Sequence, residues 1–234
     1  MQPRGAVLAL LCLAQPLAAQ SSARTHPAIR GWEALAVVGL TGGAMMIDQR
    51  VRHVLKRKPK QLPGLLIRSG DLLGNVRYVG PTLLAGTLSG AALGYDGLEG
   101  VSWRALESTA LGAAVTLVLK SAVGRRRPDV APNTPFSFRP LSFKGNSFPS
   151  GHTTIAFALA TSLASETKDH WSDALFYAGG MLTAFARIND DKHWLSDTIV
   201  GAAVGIVSAR LVQRWERKSP AGTPLPLLAV RFSF

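Results

Sequence analysis

The stretch FPSGHTTIAFALATSLAS, residues 148–165, decides how this chain folds. Its first residue, Phe148, is followed by proline, serine and glycine. The rest is mostly apolar and small residues, among which alanine and leucine outnumber the β-branched residues favoured in strands. Its apolar positions cluster without the strict alternation of a half-buried strand. Residues 153–165 are therefore predicted to form a buried helix, with Ser150 as its N-cap.

Five further apolar segments have a similar composition, at 34–47, 78–94, 108–119, 174–186 and 198–212. Together the six segments predict an all-α protein, a helical bundle with about six core helices. Four prolines lie between residues 128 and 140, so residues 124–149 are predicted to be one long loop. Loops of that length inside compact domains are usually functional.

Length and charge narrow the classes of protein that fit. The chain has 234 residues, which suits one domain, and its formal net charge is +12. A basic balance favours anionic partners, such as phosphorylated small molecules or an anionic membrane surface. Nucleic acid is not supported as a partner, because no groove-reading motif or interleaved aromatic pattern accompanies the basic residues.

The N-terminal segment predicts export. Arg4 precedes an apolar run and small residues, the pattern of a secretory signal peptide at residues 1–19. The alternative is an uncleaved anchor or a first buried helix. The single cysteine, Cys12, lies inside this segment, so its removal excludes disulfides and cysteine-ligated metals. We expect one domain at 20–218 and a tail at 219–234.

The lengths of the apolar segments bear on membrane insertion, because a span needs about 20 apolar residues. Four segments have only 12 to 14 residues between flanking charges, which favours an exported domain, periplasmic or membrane-associated. All five tryptophans lie at segment edges, as in an aromatic belt, so an integral inner-membrane protein remains the alternative.

Two further segments each allow two interpretations. The basic run 50–60 fits either a solvated helix face or a patch for lipid headgroups. The alternating segment 228–234 fits an edge strand or an outer-membrane signal.

Three polar clusters lie at the ends of apolar segments. In the first, Lys120 and Arg127 are two helical turns apart and can face one pocket, although Gly124 and Pro128 indicate that the helix ends between them. The alternative is an ordinary helix C-terminus, where basic residues interact favourably with the helix dipole.

The second cluster is Ser150, Gly151 and His152 at the start of a helix. Backbone N–H groups that follow an N-cap form an anion site, and glycine allows a phosphate to approach the backbone closely. His152 would then stand beside the anion. The alternative is a capping serine beside a solvated histidine.

The third cluster joins Arg187 to His193 and Asp197. His193 and Asp197 are spaced by one helical turn, so the carboxylate can accept a proton from one ring nitrogen and orient the other. That arrangement suits an activated imidazole nucleophile, although a surface His–Asp pair would have the same spacing. Asp190 and Asp191 are interpreted as solvated loop residues and not as a metal site.

Taken together, the clusters resemble the type 2 phosphatidic acid phosphatase (PAP2) superfamily, which includes bacterial class A acid phosphatases and vanadium haloperoxidases. The matching motifs are Lys120-x6-Arg127-Pro128, Pro149-Ser150-Gly151-His152 and Arg187-x5-His193-x3-Asp197. Their order and spacing agree with the family over roughly residues 100–212. Ala186 is a departure, because the family usually has serine there, which removes one hydroxyl contact to phosphate.

The resemblance implies an all-α bundle that hydrolyses phosphate esters through a phosphohistidine, without a metal or other cofactor. It implies catalytic roles for His193, His152 and Asp197, and phosphate binding by Lys120, Arg127, Ser150, Gly151 and Arg187. Two alternatives remain: a vanadate-dependent haloperoxidase, or a non-catalytic protein that binds anions or lipids. The residues do not choose between a phosphorylated lipid and a small phosphorylated metabolite.

Overall fold

The computed structural model describes residues 29–57, 63–141 and 146–218. In these ranges the chain forms helices and no strand: α1 (Gly31–Arg57), α2 (Gly64–Gly74), α3 (Val76–Leu93), α4 (Asp96–Val123), α5 (Gly151–Glu166), α6 (His170–Asn189) and α7 (Leu195–Lys218). The all-α prediction is confirmed. The predicted signal segment 1–19 and the segments 219–234 and 228–234 lie outside the described residues.

Six of these helices contain the six predicted apolar segments, and α2 is the addition. It has eleven residues, and Arg68 and Asp71 divide its apolar positions into two short groups. The sequence GLLIRSGDLLG therefore has too few apolar residues in a row to stand out as a segment.

Helix α5 lies at the centre of the bundle and packs against α2, α4, α6 and α7. Small residues on α5, including Ala158 and Ala160, are buried, which lets its neighbours approach closely. On α7, a Cβ at Gly205 would overlap the carbonyl group of Thr154, so the two backbones are nearly in contact. This packing fixes the first turn of α5 against the first turn of α7, where Ser150 N donates to the Asp197 carbonyl at 2.9 Å.

Two helices, α4 and α7, are long and apolar enough to cross a membrane by length and composition. Both exceed the segments found between charges, because each helix continues through charged residues. On α4, for example, Arg104 pairs with Glu166 at 2.7 Å, and Glu107 is buried. Charged side chains that are buried or paired inside the bundle thus do not end a helix, so each helix is longer than its uncharged stretch.

The surface is rich in exposed apolar side chains. Trp32, Leu35, Val38 and Met46 on α1 are all more than half exposed, as are residues of α3 and α4. Trp194 differs from the other tryptophans because it is only 1% exposed, so the tryptophan positions can fit an aromatic belt only without this residue. Its indole lies 5.5 Å from the Arg125 guanidinium and donates to the Arg126 carbonyl.

Candidate active site

The start of α5 forms a polar floor for the site. The Ser150 side chain caps the helix by accepting from Thr153 N and, at 2.9 Å, from Thr153 Oγ1. Its own hydroxyl hydrogen is left to donate, because a hydroxyl is both donor and acceptor. Gly151 follows at the first helical position, and a Cβ there would lie 3.9 Å from Lys120 Cε. The lysine stem therefore passes directly beside the helix N-terminus.

Three cationic side chains reach this region from different elements. Lys120 belongs to the last turn of α4, which ends at Gly124 in the left-handed conformation, as the sequence indicates. Arg127 lies in the following loop, and Arg187 lies in the last turn of α6. Each of these charges acts electrostatically on the imidazole of His152, so the structure brings them to one place.

Arg187 pairs with Asp71, but the other two cations have no carboxylate partner among the described residues. Among the described residues, Lys120 donates to the Asn146 carbonyl but forms no ion pair, and Arg127 forms none. The Nε atoms of Arg127 and Arg187 are buried and have no hydrogen-bond partner. Buried guanidinium N–H groups without partners are costly, so they indicate an anion that the pocket is built to receive.

His193 lies in the loop between α6 and α7 and is 2% exposed. Its Nδ1 is 2.7 Å from the Ser147 carbonyl oxygen and 3.7 Å from Asp197 Oδ2. A carbonyl only accepts hydrogen bonds, so Nδ1 carries the proton and Nε2 is left with its lone pair. The tautomer is thus fixed by Ser147, and not directly by Asp197 as the sequence suggested.

The reason for this difference is where α7 begins. The helix starts at Leu195, so His193 precedes it and the one-turn spacing does not place the two side chains face to face. Asp197 instead accepts from Ser147 Oγ at 2.5 Å and from Trp194 N at 2.9 Å. Asp197 therefore holds Ser147, whose carbonyl contacts the His193 ring, and Trp194, which follows His193 in the chain.

Behind Asp197 lies a buried ionic network that the sequence analysis did not find. Arg125 is fully buried and donates to Asp197 Oδ1 at 2.7 Å and to Asp48 Oδ2 at 2.8 Å. Asp48, from α1, also accepts from the backbone N–H and hydroxyl of Ser196. The only available signal was an acidic residue directly after the apolar segment 34–47, which by itself does not indicate a partner.

His152 lies in the first turn of α5, and its Nε2 is 3.6 Å from Asp71 Oδ1. The same carboxylate oxygen accepts from Arg187 Nη1. Asp71 was also missed in the sequence, because it belongs to α2, the helix that periodicity did not predict. Ala186, the position where the family usually has serine, is fully buried in α6.

The interpretation of Asp191 as solvated is wrong. Its side chain is only 12% exposed and forms a bidentate ion pair with Arg52, at 2.7 and 2.8 Å. Lys56 Nζ lies 3.6 Å from the same carboxylate. The guanidinium has the planar geometry that a carboxylate matches, which explains the burial. Asp190, by contrast, is exposed. The basic run of α1 is therefore in part an anchor for the loop that carries His193.

Burial sets the protonation of both histidines. It lowers the pKa of His193 to about 4, against the opposing effect of Asp197. Burial and then the charge of Arg187 lower the pKa of His152. A neutral imidazole with a free Nε2 lone pair is the form that can attack phosphorus. The pocket therefore presents His193 in its nucleophilic form at neutral pH.

This charge state has a measurable consequence. In the ligand-free protein, the ¹⁵N signals of the His193 ring should remain those of a neutral imidazole as the pH falls from 6.5 towards about 4. The unfolded chain binds that proton near pH 6.5, so the free energy of unfolding should decrease over the same window. Comparison with His193→Gln assigns the signal, and a His193 ring that titrates near pH 6.5 would contradict the expectation.

Part of this chain is similar to known proteins. Residues 102–221 match the family model described as PAP2 superfamily. The lipid A 1-phosphatase of Porphyromonas gingivalis is 36% identical over 146 residues, which are 59% of this chain. Those residues are only 29% of the relative, so this chain spans less than a third of its length.

Two crystal structures share the fold. Aquifex aeolicus LpxE has a TM-score of 0.56 and 20% identity, covering 72% of this chain and 95% of that one. The first transmembrane PAP2 type phosphatidylglycerolphosphate phosphatase from Bacillus subtilis has a TM-score of 0.59 and 20% identity, covering 80% and 95%. At this identity the two likenesses concern the fold alone.

Proposed function

This chain belongs to the PAP2 superfamily, and from that premise we propose that it is a phosphatase of phosphate monoesters or diphosphate esters. In this proposal the reaction needs no metal ion and passes through a phosphohistidine. The observation that carries the proposal is the group of three cations beside His152, two of them with buried Nε atoms that have no partner. Two of the three cations, Lys120 and Arg127, also act on the imidazole of His193.

The first half of the reaction forms a phosphoenzyme. His193 Nε2 attacks phosphorus, the bond to the leaving oxygen breaks, and that oxygen takes a proton from His152. As charge spreads over the equatorial oxygens, Lys120, Arg127 and Arg187 stabilise it. The Ser150 hydroxyl and the Gly151 N–H donate to the same oxygens.

The second half releases phosphate. His152, now neutral, accepts a proton from water, whose oxygen attacks phosphorus while the bond to His193 breaks. Asp197 stabilises the charge that develops on the imidazole and keeps Ser147 in position to hold Nδ1. In this scheme the fixed cations neutralise the phosphoryl group, the role that a metal ion has in other phosphatases.

We further propose that the substrate is a phosphorylated lipid. The curated relative is named for lipid A, and the exposed apolar side chains of α1 and α4 would contact acyl chains. With α4 and α7 able to span a bilayer, this surface favours the membrane-embedded alternative over a water-soluble exported domain. Export and a periplasmic site remain part of the proposal.

The test is hydrolysis by the full chain, purified with and without detergent. Release of phosphate from lipid phosphates should exceed release from water-soluble phosphomonoesters, should persist in EDTA, and should be inhibited by vanadate, which mimics phosphate. Activity that is lost in EDTA and restored by added metal would contradict the metal-free mechanism. Bromide oxidation that requires vanadate and peroxide would support the haloperoxidase alternative, and phosphate binding without turnover would support the non-catalytic one.

A further inference from the structure

Helix α2 is held unusually close to the candidate site. A Cβ at Gly70 would lie 2.7 Å from the Leu182 carbonyl, and one at Gly74 would overlap the carbonyl of His152. Thr183 Oγ1 donates to the Gly70 carbonyl at 2.7 Å. The two glycines, one turn apart, therefore fix α2 against α6 and the start of α5, with Asp71 between them.

That placement gives one carboxylate two partners. Asp71 Oδ1 accepts from Arg187 Nη1 and lies 3.6 Å from His152 Nε2. Asp71 is 35% exposed and Arg187 only 11%, so the carboxylate is on the solvent side of the pair. None of the three family motifs includes this residue.

The charges around His152 explain why such a carboxylate would matter. Arg187 from α6, Arg127 from the loop and Lys120 from α4 all oppose protonation of the imidazole, and Asp71 from α2 favours it. A general acid must carry a proton when the leaving oxygen departs. Three cations favour the binding of phosphate, but they disfavour the protonated form of His152 that a general acid needs. One nearby carboxylate offsets part of that effect.

We propose that Asp71 is a positioning residue that orients His152 through Nε2 and favours its protonated form for transfer of a proton to the leaving oxygen. The inference rests on the proposed phosphatase function. In the step concerned, the P–O bond breaks, its electron pair stays on the oxygen, and the proton comes from the other nitrogen of His152. The imidazole is left neutral and ready to accept a proton from water.

The test uses Asp71→Asn and two substrates that differ only in the need for an acid. The leaving oxygen of an alkyl phosphate requires protonation. The leaving group of p-nitrophenyl phosphate is p-nitrophenolate, which departs as a stable anion. We expect kcat/KM to fall about 30-fold for the alkyl ester, within the range of general acid catalysis, and less than about 3-fold for the aryl ester. The pH optimum for the alkyl ester should move to lower pH, because His152 then needs more acid to become protonated.

Controls separate this inference from the proposed function. Glu33→Gln removes a carboxylate of similar exposure in the first turn of α1, where it pairs with Arg210. This variant should leave the rates on the alkyl and the aryl ester unchanged. Asp71→Glu keeps the charge and should retain the wild-type ratio of alkyl to aryl rates; it decides the matter if Asp71→Asn does not fold. Equal losses on both substrates, or none, would overturn the role of Asp71, whereas a wild-type chain inactive on both would overturn the phosphatase proposal.

Discussion

Replacing His193 with alanine should reduce turnover of every phosphate ester by about 10⁴-fold or more, the scale on which removal of a catalytic nucleophile acts. The physical reason is that the Ser147 carbonyl holds Nδ1 of His193 and leaves the lone pair of Nε2 free to attack phosphorus. His152 is placed to exchange protons and sits beside Asp71. The measurement is release of phosphate under single-turnover conditions, together with the acid-labile phosphoryl label expected of a phosphohistidine.

The matched control is Arg50→Ala, which removes an exposed charge from α1 outside the candidate site. It should leave the chemical step nearly unchanged, since the arginine touches neither histidine. Both variants should keep the helical circular dichroism of the wild type. If the His193→Ala protein hydrolysed phosphate esters at the wild-type rate, another residue would have to be the nucleophile.

The helices themselves were largely predictable. Segments such as 153–165 consist of small and apolar residues without alternation, and burial in a helical bundle is the stable outcome for that composition. Helix α2 was not predictable in this way, because Arg68 and Asp71 interrupt its few apolar positions. Its conformation is fixed by packing against α6 and α5, which depends on residues more than 80 positions away.

The candidate site divides along the same line. Residues within the three clusters, such as Lys120 and His152, could be found because polar side chains at helix ends stand out in an apolar sequence. Asp48 and Asp71 could not, since each is an acid in the first third of the chain, far from its partners in sequence. The hydrogen-bond acceptor for His193 could not be predicted either. It is the backbone carbonyl of Ser147, and every residue has such a group.

The second large effect is expected on stability, from Arg125→Met. Arg125 is fully buried between Asp48 and Asp197, with the Trp194 and Phe138 rings each 5.5 Å from its guanidinium. Methionine preserves much of the packing but leaves two buried carboxylates without their cation. Breaking such a network by removing one partner costs about 3–5 kcal/mol. Denaturant unfolding should register this loss, and activity should fall because Asp197 and Ser147 no longer hold the imidazole.

A matched comparison identifies burial as the cause. Arg210→Met breaks the pair between Arg210 and Glu33, whose side chains are both about a quarter exposed, and should cost much less stability, because solvent screens the pair. Adding Asp48→Asn to Arg125→Met removes one of the stranded charges and should recover part of the lost stability, because a neutral amide is cheaper to bury than a carboxylate. Equal losses in Arg125→Met and Arg210→Met would mean that the network is solvated and that Asp197 is held by Ser147 and Trp194 alone.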